Sequence, residues 1–258
     1  MNRASIIVIG GGHAGIEAAN AVLNMGHKVN MFVLDSSAIG RMSCNPSIGG
    51  LAKGHLVKEI DALGGIMGRA ADKSCLQFKT LNKSKGRAVW GPRAQVDKIK
   101  YANSSKSFLN KHKNFNVISE EVVDLIVKNN KVIGVFTSNK TAFYSDAVIV
   151  TTGTFLNGLI HIGKDNYSAG RIGEKAATNL TDSIINLGFE TGRLKTGTPP
   201  RIEAKSIDWK KLEPSLGDDN PQPFSYKTKL PFRNLNIPSF IAYTNENVHS
   251  LLEKNLNN

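Results

Sequence analysis

Hydrophobic positions along this chain change period several times, and each change marks an element. Residues 5–9, "SIIVI", form a continuous apolar run of strand length, as expected for a parallel strand buried on both faces. Ala14 to Met25 is rich in Ala with apolar positions at helical spacing, which predicts a helix ended by Gly26. Val29 to Leu34 predicts a second strand, so the opening reads as strand, turn, helix, strand. Residues 51–63, "LAKGHLVKEIDAL", predict an amphipathic helix with Leu51, Leu56, Ile60 and Leu63 on or near one face. Ala94 to Leu109 predicts a basic, partly exposed helix. Further on, the pattern predicts three short antiparallel strands with turns at Asn129-Asn130 and Ser138-Asn139, then an apolar strand from Ala147 to Val150. Glu174 to Leu187 predicts another helix. Beyond Arg201, prolines at 214, 221, 223, 231 and 238 and few long apolar runs predict a loop-rich region or an incomplete domain.

The first turn carries Gly10-x-Gly12-x-x-Gly15, with Gly11, His13 and Ala14 between. In a βαβ unit the first glycine permits the tight turn and the second lets the backbone approach a pyrophosphate. The third allows close helix–strand packing, with the helix N-terminus facing the phosphates. Asp35 lies 20 residues after Gly15, where an acid bonds a ribose hydroxyl. The competing reading is a glycine turn used only for packing. A β-meander returning to the main sheet and a Thr-Gly turn favours FAD over NAD. The expected fold class is therefore α/β: a Rossmann-like FAD-binding domain of the two-dinucleotide-binding flavoprotein type with a β-meander, plus the start of a second inserted domain. Residues 1–200 are assigned to the first, lacking its carboxy-terminal segment, and residues 201–258 to the beginning of a substrate- or NADH-binding domain.

Composition narrows the field. The 258 residues are 40% hydrophobic and 21% charged, ordinary for a globular protein. No apolar run is long enough to span a membrane. A first strand beginning at Ser5 leaves no room for a leader, and two cysteines make no disulfide framework, so a reducing cytoplasm is expected. A net charge of +12 favours an anionic partner such as nucleic acid, although the Lys, Asn and Ile richness of AT-rich coding produces the same surplus.

Candidate chemistry is sparse. Cys44, in "MSCNPSIGG", reads as a nucleophile or redox thiol if Lys53 and Arg41 supply nearby cations, or as a small residue lining the flavin pocket. Cys75 reads as inert packing. His13 lies within the glycine loop, beside the cofactor or capping the turn. His55 and Glu59 share a helical face and read as a solvated ion pair rather than a metal fragment; no metal site is expected. "GRLKTGTPPR" forms a stiff loop whose Arg193, Lys195, Thr196, Gly197 and Arg201 suit a phosphate or carboxylate, while solvent exposure alone also explains the charges.

The segments "IGGGHAGIEAA", "MSCNPSIGGLAKGHLVKEIDALGG", "LNKSKGRAVWGPRAQVDK", "GTFLNGLIHIG", "NYSAGR" and "GRLKTGTPPRI" together resemble the amino-terminal part of the MnmG (GidA) family. The resemblance runs from about residue 5 to residue 250. It implies FAD-dependent installation of the carboxymethylaminomethyl group on the wobble uridine of tRNA. It also implies the GTPase MnmE as partner, NADH and methylenetetrahydrofolate as co-substrates, glycine or ammonium as amine source, and a homodimer in full-length members. By position, Gly10, Gly12 and Gly15 would cradle the pyrophosphate, Thr152 and Gly153 would close on the cofactor, and Cys44 would match one of two family cysteines considered for catalysis. The sequence ends before the family's second cysteine motif, the later glycine-rich segment and the helical carboxy-terminal domain, so the chain alone is expected to be inactive or impaired. Two other readings stay open: a folate- and FAD-dependent tRNA uridine methyltransferase, and a non-catalytic flavin- or RNA-binding remnant or half of a split protein.

Overall fold

A computed structural model describes residues 3–197, 199–232 and 234–256. The apolar run at the start forms β1 (Ser5–Ile9) and turns into α1 (His13–Asn24), which leads to β2 (Lys28–Phe32). After β2 come β3 (Ser47–Gly49), α2 (Lys53–Ala62), α3 (Met67–Lys73), β4 (Cys75–Leu81), β5 (Gly91–Val96), α4 (Lys98–Leu109) and β6 (Phe115–Ile118). The meander follows as β7 (Val122–Lys128), β8 (Lys131–Thr137) and β9 (Ala142–Tyr144), and β10 (Ala147–Val150) returns to the first sheet. The remainder holds β11 (Leu159–Ile162), β12 (Asp165–Ser168), α5 (Asn179–Asn186), β13 (Glu213–Ser215), β14 (Ser239–Ile241) and α6 (Glu246–Glu253).

The main sheet is parallel, in the order β10-β1-β2-β6. Alternation along its strands builds two cores. Val8, Val29 and Met31 meet Ile16, Ala19 and Leu23 of α1 on one face. Ile7, Ile9 and Phe32 meet Val122, Val135 and Leu180 on the other, so the meander and α5 cover that side. Phe32 and Phe143 pack edge to face at 5.0 Å. The meander's first turn is the expected Asn129-Asn130, both with positive φ, the pairing that a two-residue hairpin turn requires.

Three expectations need correction. The helix expected from Ala94 starts at Lys98, because residues 91–96 alternate Ala94 and Val96 inward and pair as β5 with both β3 and β4. Asp97 then caps α4, accepting from the Ile99 and Lys100 N–H groups at 2.9 and 3.0 Å. The helix expected from Glu174 starts at Asn179; Gly173 has φ +79° and the Glu174 carboxylate is drawn into ion pairs. In and beside α2 the leucines of the expected stripe face outward, Leu51, Leu56 and Leu63 being 57%, 55% and 89% exposed, while Ile60 is half-buried. The buried face is instead Gly54, Val57 and Asp61, since Gly54 lies against Pro92 and Asp61 accepts from the Tyr226 N–H at 3.1 Å.

The proline-rich stretch after Arg201 is mostly irregular but partly seated on the antiparallel sheet β3-β5-β4. Phe224 and Phe232 are buried against Phe78, with ring centroids at 5.3 and 5.9 Å. Buried Gln77 donates to the carbonyls of Ser215 and Ile237 at 2.9 and 3.0 Å. Among the described residues no helix is long and apolar enough to cross a membrane.

Candidate functional site

The carboxyl ends of β1, β2 and β10 open on a cavity of about 390 Å³, the position where open parallel sheets take ligands. Gly10 leaves β1 with φ +105° and its N–H donates to the Phe32 carbonyl at 2.8 Å. A side chain on Gly15 would overlap the Gly10 carbonyl oxygen, so α1 reaches the turn only with glycine there. Gly12 differs: a Cβ at that position would meet nothing, because it would point into open space where the cavity begins. The return strand is tied to the turn by the Thr151 hydroxyl, which donates to the Ile9 carbonyl at 2.7 Å. Thr152 and Gly153 follow, both in the cavity wall.

Of the glycine-loop residues, Gly10, Gly11, Gly12 and His13 line the cavity, whereas Gly15 is buried behind it and Ala14 is exposed outside its lining. His13 begins α1 and packs edge to face on Tyr101, whose hydroxyl lies 3.2 Å from Nδ1. Burial, then the nearby Lys53 charge, pulls its pKa down to about 4, so the ring is neutral. Asp35 is exposed at the rim. It accepts from the Ser37 N–H and hydroxyl at 2.7 and 2.6 Å and pairs with Arg41 at 3.3 Å. The Ser37 hydroxyl is the chief cause of a carboxyl held below the usual range.

Arg41 also reaches Glu174 at 2.6 Å, and Glu174 reaches Arg171 at 3.4 Å, so alternating charges run along the cavity wall. Arg41 thus serves two carboxylates rather than the thiol. Cys44 is free and half-buried in the same wall. Lys53, Lys98 and Arg171 all lie within electrostatic range of it. Burial lowers the pKa of Lys53, a shift opposed by the Cys44 charge. Cys75 is buried, and its surroundings push the thiol up to about 12.

The "GRLKTGTPPR" loop does not join the cavity lining. Arg193, Lys195, Thr196, Gly197 and Arg201 are exposed coil; Arg193 donates to the Asn157 carbonyl at 3.0 Å, and Arg201 comes within electrostatic range of Lys98. Thr198 of the same loop lies outside the described residues. Sequence reasoning missed Glu120, Glu121, Arg171 and Glu174, which line the cavity from distant segments. Glu120 Oε2, Glu121 Oε1 and Arg171 Nε are buried without a hydrogen-bond partner among the described residues. Among the described residues no group of three or more His, Cys, Asp or Glu is placed to hold a metal.

The parallel sheet, the glycine turn at a helix N-terminus and the β-meander define a Rossmann-like α/β protein of the two-dinucleotide-binding flavoprotein type. The Glucose inhibited division protein A family matches residues 5–258, and the chain belongs to that family, also called MnmG or GidA. It is 51% identical over 251 residues to the tRNA uridine 5-carboxymethylaminomethyl modification enzyme MnmG of Thermodesulfovibrio yellowstonii, covering 97% of this chain and 40% of that one. The MnmG of Nitratiruptor sp. is 52% identical with the same coverage. Aquifex aeolicus GidA superposes with a TM-score of 0.93 at 48% identity, covering 99% of this chain and 43% of that chain. A GidA-related protein of Thermus thermophilus, at 18% identity and a TM-score of 0.53, shares the fold. The chain spans about 40% of the length of the curated relatives it matches.

Proposed function

We propose that this chain is the flavin-binding part of a tRNA-modifying enzyme that acts at C5 of the wobble uridine. The observation that carries the reading is a dinucleotide cradle opening beside a half-buried thiol, Cys44, in a member of the MnmG family. The residues present fit FAD. The N–H groups at the start of α1 face the cavity where Gly12 leaves room, suiting a pyrophosphate. Asp35, held ionised at the rim, accepts a ribose hydroxyl, and Thr152 and Gly153 close on the cofactor from β10.

Bound FAD supplies the redox chemistry. Cys44 acts on the uridine, which leaves its stack to reach the cavity, while Lys53, Lys98 and Arg171 stabilise negative charge around it. NADH and methylenetetrahydrofolate serve as co-substrates, and the GTPase MnmE and a second copy of the enzyme as partners. Arg193, Lys195, Thr196, Gly197 and Arg201 contact substrate phosphates from outside the cavity. We read residues 201–258 as the beginning of an inserted domain; the packing of Phe224 and Phe232 on Phe78 supports grouping that segment with the β3-β5-β4 sheet.

The first test is the visible absorbance of the purified chain after incubation with FAD and gel filtration. Retained flavin near one per chain is the expected result. A folded, colourless chain would withdraw the cofactor from this portion. Mass spectrometry of tRNA nucleosides from cells lacking the protein then tests the substrate: the wobble C5 group should disappear, and loss of a methylated uridine elsewhere would reassign the reaction.

A further inference from the structure

A second cavity, about 310 Å³, lies between α3 and the segment that follows Tyr226, and it shares no lining residue with the first. Arg69 and Lys73 of α3 face Lys227 and Lys229 across it. The one carboxylate in its wall, Asp72, is already occupied. It accepts from the Phe224 N–H at 2.8 Å, the Ser225 N–H at 2.9 Å and the Thr228 hydroxyl at 2.6 Å. Among the described residues none of the four cations has a salt-bridge partner.

Beside this cavity, three cations converge on one aromatic ring. Arg69, Lys73 and Lys111 stand 4.2, 4.6 and 5.3 Å from the centroid of Phe108, which is buried in the core. The ring offsets part of their mutual repulsion, as does the charge of Asp72 in the same wall, but among the described residues none of the three has a salt-bridge partner. A single small anion would engage two or three of these side chains. Five cations spread over α3, the end of α4 and the 227–229 segment match successive charges on a linear polyanion.

We propose that this face binds the phosphodiester backbone of RNA, as a contact separate from the flavin cavity; the inference rests on tRNA being the substrate. Phosphate contacts here would set the orientation of the RNA and would carry no base specificity.

The test uses the full chain and fluorescently labelled tRNA, with anisotropy titrations across a salt series. A variant combining Lys73→Gln, Lys227→Gln and Lys229→Gln should bind roughly tenfold or more weakly. Its slope of log K against log salt should shrink by about 0.7–0.9 for each phosphate no longer neutralised. Arginine at the same three positions should restore both, and FAD uptake and the melting temperature should stay at wild-type values. A triple variant with wild-type affinity and slope would overturn this surface while leaving tRNA as the substrate. A wild-type chain that loads FAD yet binds no tRNA would overturn the surface and leave the cofactor reading intact. Displacement of tRNA by inorganic phosphate, at concentrations where chloride of equal ionic strength has no effect, would reassign the cavity to a small anion.

Discussion

Gly12 and Gly15 stand three residues apart in the same motif and answer to different constraints. Gly15 is required by the protein itself, because a methyl there would drive into the Gly10 carbonyl. Gly12 meets no protein atom and has φ −75°, which any residue adopts. Gly15→Ala should therefore destabilise the fold by about 1–3 kcal/mol, the usual cost of overpacking. Gly12→Ala should leave stability within about 0.5 kcal/mol and still abolish FAD retention. Thermal melts and flavin absorbance on both variants check this; a Gly12→Ala chain that keeps its flavin would mean the ligand does not approach that turn. Residues of this kind were legible because the motif is local. That Cys44 and Asp35 stand in the cavity wall was legible for the same reason, each a short step from the first βαβ unit. Glu120 and Arg171 were not: they reach the cavity from the end of β6 and from the loops beyond β10, and no spacing rule connects them to Gly10.

At the scale of elements, the sequence pattern located β1, α1, β2, the meander and β10, and failed where tertiary contacts overrode local preference. Leucines at helical spacing in α2 implied a buried stripe, yet Gly54 and Asp61 decide which face turns inward. In the sequence these are a small residue and an acid; the fold uses close approach to Pro92 and a carboxylate that accepts from Tyr226. Asp72 in α3 plays a similar part for the proline-rich segment, holding the backbone of Phe224 and Ser225 with its two oxygens. Asp72→Ala would leave two buried N–H groups unpaired and should cost roughly 2–5 kcal/mol. Hydrogen exchange should then quicken at residues 223–228 while the parallel sheet stays protected. Unchanged exchange in that segment would show that Phe224 and Phe232 hold it without the carboxylate.

The whole molecule couples these parts because its cavity is walled by segments that follow strands at both edges of the parallel sheet, so a proton taken up at one residue there is felt as global stability. His13 sits where the glycine turn, α1 and α4 meet, half-buried and neutral, with its pKa near 4 against an unfolded value near 6.5. Between those values the unfolded chain binds the proton that the folded chain refuses, so stability rises with pH across that window. The contribution is complete above about pH 6.5, falls away as pH drops towards 4, and is flat below it. It amounts to about 3 kcal/mol at most, since each tenfold difference in proton affinity between folded and unfolded chain is worth about 1.4 kcal/mol. Carboxylates add their own acid dependence, so the diagnostic quantity is the difference between wild type and His13→Asn in urea melts at a series of pH values. That difference should move in favour of wild type by up to about 3 kcal/mol from pH 4 to pH 7. A constant difference across the series would mean that the imidazole accepts a proton in place, and that burial and the Lys53 charge do not keep the turn free of a cation.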